Sequence, residues 1–146
     1  MKLKRIDHIG INVNDLAAAK AFFVDLGLEL VGEEWIAEGE WLDNILGLKG
    51  VKTQNIMLRL PEGGAMLEIS KYHAPTDPAG VQPQPPNTLG IRHLTFPVDD
   101  LDAVIAHAKA KGSQFVGVVY NYEDTYKLCY IRGPEGIILE FAQELK

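Results

Sequence analysis

Asp7-His8-Ile9-Gly10-Ile11-Asn12-Val13-Asn14-Asp15-Leu16 decides the fold, because the chain repeats its pattern as Arg92-His93-Leu94-Thr95-Phe96-Pro97-Val98-Asp99-Asp100-Leu101. Each stretch sets a His at the head of an alternating run. Each closes on an acidic residue able to cap a helix. Alternation with period two marks a strand with one buried face. Each is answered downstream by a Glu inside a second apolar run, Met66-Leu67-Glu68-Ile69 and Ile138-Leu139-Glu140-Phe141. A repeat that carries the same charged pair in the same places is poorly explained by packing alone. It predicts two His and two Glu converging on one metal ion.

Working outward, residues 4–13 read as a strand, and Asp15 caps a helix over 16–26 that stops at Gly27. Residues 28–31 begin a second strand. In 38–50, Trp41, Ile45, Leu46 and Leu48 suggest a short helix bounded by Gly39 and Gly50. Residues 54–60 and 65–72 are strands joined by the turn Pro61-Glu62-Gly63-Gly64. Residues 73–90 hold five of the eight prolines and no periodicity, so they form a linker. The order then recurs. Residues 91–98 are a strand, and Asp99 or Asp100 caps a helix with Leu101, Val104, Ile105 and Ala108 on one face, ended by Gly112. A strand at 115–119 follows, then a hairpin of 126–132 and 137–142 around Gly133-Pro134-Glu135-Gly136. The expected fold is α+β: one domain over 1–146, built of two βαβββ modules (1–72 and 91–146) joined by the linker.

Strand parity carries the argument to a site. Ile9, Ile11 and Val13 share one face, and His8 lies on the other. Leu94, Phe96 and Val98 oppose His93. Leu67 and Ile69 oppose Glu68, and Leu139 and Phe141 oppose Glu140. If the apolar faces pack on the helices, His8, Glu68, His93 and Glu140 all lie on the other face of their sheets. Two imidazoles and two carboxylates form an N2O2 set that suits a borderline or hard divalent ion and leaves room for substrate. A closed structural zinc site would favour Cys. Met57 and Arg59 share the ligand face by parity and are candidates for substrate binding, Arg59 for a carboxylate or phosphate. Tyr120 and Tyr122 read as a loop or pocket rim, and Trp35 and Trp41 as core or as the mouth of the site. His73 and His107 read as surface residues.

Composition removes other classes. Lys and Arg number 14 against 20 acidic residues, a net charge of −6, without the basic cluster that nucleic acid demands. No apolar run approaches the ~20 residues of a membrane helix, and no signal peptide is evident. The lone Cys129 precludes an internal disulfide and fits a reducing, cytoplasmic setting, with the thiol as buried filler. Open sheet edges on two small sheets predict a homodimer.

With these marks the chain resembles the vicinal oxygen chelate superfamily over essentially its whole length. The resemblance rests on Asp7-His8-Ile9-Gly10-Ile11, Arg92-His93-Leu94 and Gly133-Pro134-Glu135-Gly136-Ile137-Ile138-Leu139-Glu140-Phe141. The last is similar to the superfamily's D-P-x-G-x-x-x-E-L segment. The resemblance implies one divalent ion per site (Ni, Zn, Co, Mn or Fe) and a small-molecule substrate. Extradiol dioxygenases and fosfomycin-resistance enzymes of the superfamily use only the equivalents of His8, His93 and Glu140. Glu68 at the fourth position resembles bacterial glyoxalase I, where methylmalonyl-CoA epimerase typically carries Gln. The implied activity is that of a metal-dependent lyase or isomerase acting on a carbonyl or hydroxy-carbonyl compound through a metal-stabilised enediolate. Glu68 and Glu140 are the candidate bases, with Glu140 favoured because the Gly133–Gly136 turn beside it suggests mobility. The alternatives are a non-catalytic small-molecule binder or antibiotic-resistance protein, and an extradiol-type dioxygenase.

Overall fold

The structure is a computed structural model describing residues 1–146. It resolves into two compact units, Met1–Val81 and Gln82–Lys146, and the division falls inside the proline-rich stretch. The first unit runs β1 (His8–Asn12), α1 (Leu16–Asp25), β2 (Glu29–Leu30), β3 (Trp35–Glu38), α2 (Glu40–Leu46), β4 (Lys52–Arg59), β5 (Met66–Ala74). The second runs β6 (His93–Pro97), α3 (Leu101–Ala110), β7 (Tyr120–Tyr122), β8 (Tyr126–Arg132), β9 (Ile138–Glu144). The sheet orders are β1-β5-β4-β2, with β3 also on β4, and β6-β9-β8-β7. In both sheets the first strand runs parallel to the last and the other pairings are antiparallel. The second unit, with four strands against five, therefore repeats the first's parallel pair and its antiparallel neighbours, and the fold is the two-module α+β arrangement.

The helices begin where the acidic residues allow. Asp15 accepts the Ala18 amide at 2.9 Å and Asp100 the Ala103 amide at 3.0 Å, each satisfying a backbone donor the first turn leaves free. The chain leaves α1 through Gly27 at φ +101°, a conformation costly for any residue with a Cβ. Parity then places the cores. Ile56, Leu58, Leu67 and Ile69 pair across β4 and β5 and are buried under α1 with Phe23 and Ala19. In the second unit Leu139, Phe141, Ile131 and Cys129 form the matching layer with Leu101 and Ala108 of α3. Phe96 stacks on Phe141, ring centroids 5.8 Å apart. Cys129 is 1 % exposed, and burial pushes its thiol above the usual range.

Four local expectations are corrected. Residues 115–119 form no strand: Phe115 makes one bridge to Ile131, Val116 donates to the Tyr130 carbonyl, and the chain then leaves the sheet with Val118 80 % exposed. Pairing resumes at Tyr120–Tyr122, so these tyrosines lie on an edge strand and not in a loop. The first unit has a strand, β3, that alternation did not disclose, because Trp35 and Ile36 are both exposed on a two-sided edge. His73 belongs to β5 and not to the linker, its Nε2 2.9 Å from Gln54 Oε1. The short helix α2 forms as expected, but it ends at Gly47 in the left-handed conformation, and Asp43 accepts the Gly50 and Val51 amides at 2.9 and 2.8 Å. No helix is long and apolar enough to cross a membrane.

Candidate metal centre

Residues opposite one another in a sheet share a face. Along β1 and β5, His8 stands opposite Met66 and Gly10 opposite Glu68. Along β6 and β9, His93 stands opposite Ile138 and Thr95 opposite Glu140. Each unit thus carries one His and one Glu on a single face, on neighbouring strands and two positions out of step. The next strand adds Met57 opposite Glu68 and Tyr130 opposite Glu140. His8 therefore corresponds to His93, Gly10 to Thr95, Glu68 to Glu140 and Met57 to Tyr130.

The substitutions between these grids make the two carboxylates unlike. Thr95 Oγ1 donates to Glu140 Oε2 at 2.8 Å, and His93 Nε2 lies 3.3 Å from the same oxygen. Tyr130 stands opposite Glu140 on the next strand, and its ring meets His93 edge-on at a centroid distance of 5.3 Å. Burial, then the Glu140 charge, pushes the Tyr130 phenol above its usual range. The phenol thus remains a donor. In the first unit Gly10 replaces the threonine and Met57 the tyrosine, and neither side chain offers a donor to the half-buried Glu68.

His8 is supported from behind instead. Its Nδ1 lies 2.9 Å from Asp7 Oδ2, and Arg5 Nη2 donates to Asp7 Oδ1 at 2.8 Å. The His8 hydrogen bond, and after it Arg5, holds the Asp7 carboxyl below the usual carboxylate range.

Arg59 lies on the ligand face at the sheet edge, more than half exposed and 3.6 Å from Glu29. Met57 is half-buried directly beside Glu68. Deeper on the same face Ser70 Oγ donates to Asn55 Oδ1 at 2.7 Å, and Asn55 Nδ2 to Thr53 Oγ1 at 2.9 Å, a buried and internally satisfied cluster. Trp35 stands opposite Asn55.

The donor chemistry fits a divalent ion in one testable respect. Two adjacent ligands each ~2.1 Å from an ion sit ~3 Å apart at a right angle, and His93 Nε2 and Glu140 Oε2 are 3.3 Å apart. The structure gathers no group of three or more His, Cys, Asp or Glu able to hold one ion. Each unit carries one His–Glu pair.

Sequence reasoning missed Tyr130, Thr95 and Asp7 as members of this neighbourhood. Tyr130 was within reach: a symmetric hairpin about the Gly133–Gly136 turn that pairs Arg132 with Ile138 must pair Tyr130 with Glu140. The hydrogen bond of Asp7 to the His beside it has no signature in alternation, which sends neighbours to opposite faces.

Comparison with known proteins agrees with this architecture. A family model described as the Glyoxalase/Bleomycin resistance protein/Dioxygenase superfamily matches residues 5–141. An uncharacterized Escherichia coli protein, YaeR, is 28% identical over 144 residues, covering 97% of this chain and 98% of its own. The crystal structure of a glyoxalase family protein from Bacillus cereus superposes with a TM-score of 0.93 at 37% identity, covering 100% of this chain and 97% of that one. A glyoxalase family protein from Enterococcus faecalis superposes with a TM-score of 0.67 at 28% identity, over 97% and 99% of the two chains.

Proposed function

The chain belongs to the glyoxalase/bleomycin resistance protein/dioxygenase superfamily, and on that premise we propose that it is a metal-dependent lyase or isomerase of the glyoxalase I type, acting on a small carbonyl or hydroxy-carbonyl compound. The observation that carries the proposal is the His–Glu pair repeated at matched positions of both sheets. His8, Glu68, His93 and Glu140 are the proposed ligands of one divalent ion, supplied by the modules of one chain or of two copies in a homodimer. When bound, such an ion supplies Lewis-acid polarisation to neighbouring substrate oxygens, where negative charge develops.

The remaining chemistry is assigned to the chain's own groups. Glu68 is the base: it takes a proton from the carbon beside the carbonyl and returns it to the adjacent carbon. Its freedom supports this role, since Gly10 and Met57 give it no donor. Glu140 is the fixed carboxylate, held by the Thr95 hydroxyl. This reverses the preference read from the sequence. The Gly133–Gly136 turn is closely packed: a Cβ on Gly136 would meet Pro83 at 2.7 Å, and Arg132 Nη1 donates to the Gly136 carbonyl at 2.9 Å and the Gln84 carbonyl at 2.6 Å. Met57 lies directly beside the base as an apolar neighbour.

The test is metal content and proton exchange together. Protein purified without added metal is expected to carry a divalent ion, and His8→Ala and His93→Ala to lose it while remaining folded. The loaded protein should wash deuterium from solvent into a 2-oxoaldehyde–thiol adduct or an acyl-CoA epimer. Full metal occupancy in both variants refutes the ligand assignment. A metal-free native protein that binds such compounds tightly without exchange supports the sequestering alternative instead.

A further inference from the structure

We infer that Asp7, braced by Arg5, is a positioning residue that presets His8 as a metal donor through Nε2, and that the second module has no counterpart to it. The inference rests on the proposed metal role of His8. Both Asp7 carboxylate oxygens are engaged, one by Arg5 Nη2 at 2.8 Å and the other by His8 Nδ1 at 2.9 Å. A carboxylate accepts, so the imidazole nitrogen facing it must carry the hydrogen. The neutral ring then has its lone pair on Nε2, the form in which it ligates a metal. The backbone beneath this relay is fixed, for the Asp7 carbonyl accepts the Met66 amide at 2.9 Å, locking the entry of β1 onto β5.

The corresponding triplets are Ile6-Asp7-His8 and Ile91-Arg92-His93. Arg92 has no acceptor to offer a ring nitrogen. In that module His93 Nε2 lies 3.3 Å from Glu140 Oε2. Thus one histidine is ordered from behind by a carboxylate, and the other borders its own fellow ligand. A carboxylate behind a ligating imidazole fixes its tautomer and raises its basicity, and losing such a partner typically costs ~10–100-fold in metal affinity. The structure therefore assigns Asp7 an effect on affinity that Arg92 does not share.

The experiment uses the full chain with Co(II) as the probe. Nitrogen-15 spectra of the histidine rings in metal-free protein, recorded well above the ordinary imidazole pKa of ~6.5, should show His8 as the Nδ1–H tautomer. Asp7→Ala should shift His8 toward the Nε2–H form that free imidazole prefers and leave His93 unchanged. It should also raise the Co(II) dissociation constant by ~10–100-fold. Asp7→Asn, which keeps an acceptor oxygen, should retain the tautomer and most of the affinity. Arg5→Ala should weaken binding less than Asp7→Ala. If Asp7→Ala changes neither the His8 tautomer nor Co(II) affinity in a chain that binds Co(II), this inference falls and the metal reading survives. If the unaltered chain binds no Co(II), both fall.

Discussion

The unequal support of the two carboxylates can be tested before any substrate is known. Glu140→Gln keeps the side-chain length and one acceptor oxygen but removes the charge. In the native protein that carboxylate accepts from the Thr95 hydroxyl. A hydrogen bond to a charged group contributes ~1.5–3 kcal/mol and a neutral one ~0.5–1.5. Exchanging one of the first kind for one of the second costs about 1 kcal/mol. The Glu140 side chain is only 15% exposed, so solvent screening removes little of this. For a chain of this size that is a fall of about 2–4 °C in melting temperature. Glu68→Gln removes a charge with no such donors beside it and should change stability by less than ~0.5 kcal/mol. Thermal and urea unfolding of both variants after metal removal measure the difference. A Glu68→Gln protein destabilised as much as Glu140→Gln refutes the assignment of one tethered and one free carboxylate. The kinetic corollary is that Glu68→Gln keeps most of its metal yet loses turnover by ~10²–10⁴, the range for loss of a general base.

Further outcomes follow from the same geometry. Tyr130 should ionise above the usual tyrosine range in an ultraviolet titration, and Glu140→Gln should move it part of the way back, since burial is the larger cause. Cys129, 1 % exposed, should resist thiol reagents in the native protein and react on unfolding. Its raised thiol pKa has a defined sign: the unfolded chain ionises first, near ~8.5, so stability should decline as pH rises through that value. Phe23→Ala, at a fully buried position under the first sheet, should cost ~3–5 kcal/mol by chemical denaturation. The expected homodimer should appear in light scattering at micromolar concentration, and a monomer alone contradicts it.

What could be read from the sequence was what repetition and alternation encode. Asp15 and Asp100 announce their helices because a capping carboxylate stands immediately before an apolar stripe. The four proposed ligands stand out because Ile9, Leu67, Leu94 and Leu139 fix the parity of their neighbours. The short edge strands escaped, because an edge with two exposed faces imposes no pattern: Trp35 and Ile36 are exposed in succession. In residues 115–119 the misleading signal was an apolar run in which only Phe115 and Val116 meet the sheet. The direction in which Glu140 is held was also hidden, since it depends on the Thr95 hydroxyl arriving from the neighbouring strand.

The breaks in the outermost strands have an implication for how such a protein can change. In one sheet the edge pairs at Glu29–Leu30, departs, and returns at Trp35–Glu38; in the other it touches at Phe115 and Val116, departs, and returns at Tyr120–Tyr122. Both detours occur two strands away from the parallel pair that bears the histidine and the glutamate. Lengthening or rewriting them asks nothing of β1, β5, β6 or β9, and the penalty for a longer loop grows only slowly with its length. The fold thus separates the paired strands that carry the proposed ligands from two adjustable margins. A library randomised at residues 31–34 and 117–119 should yield folded proteins far more often than one randomised beside the proposed ligands.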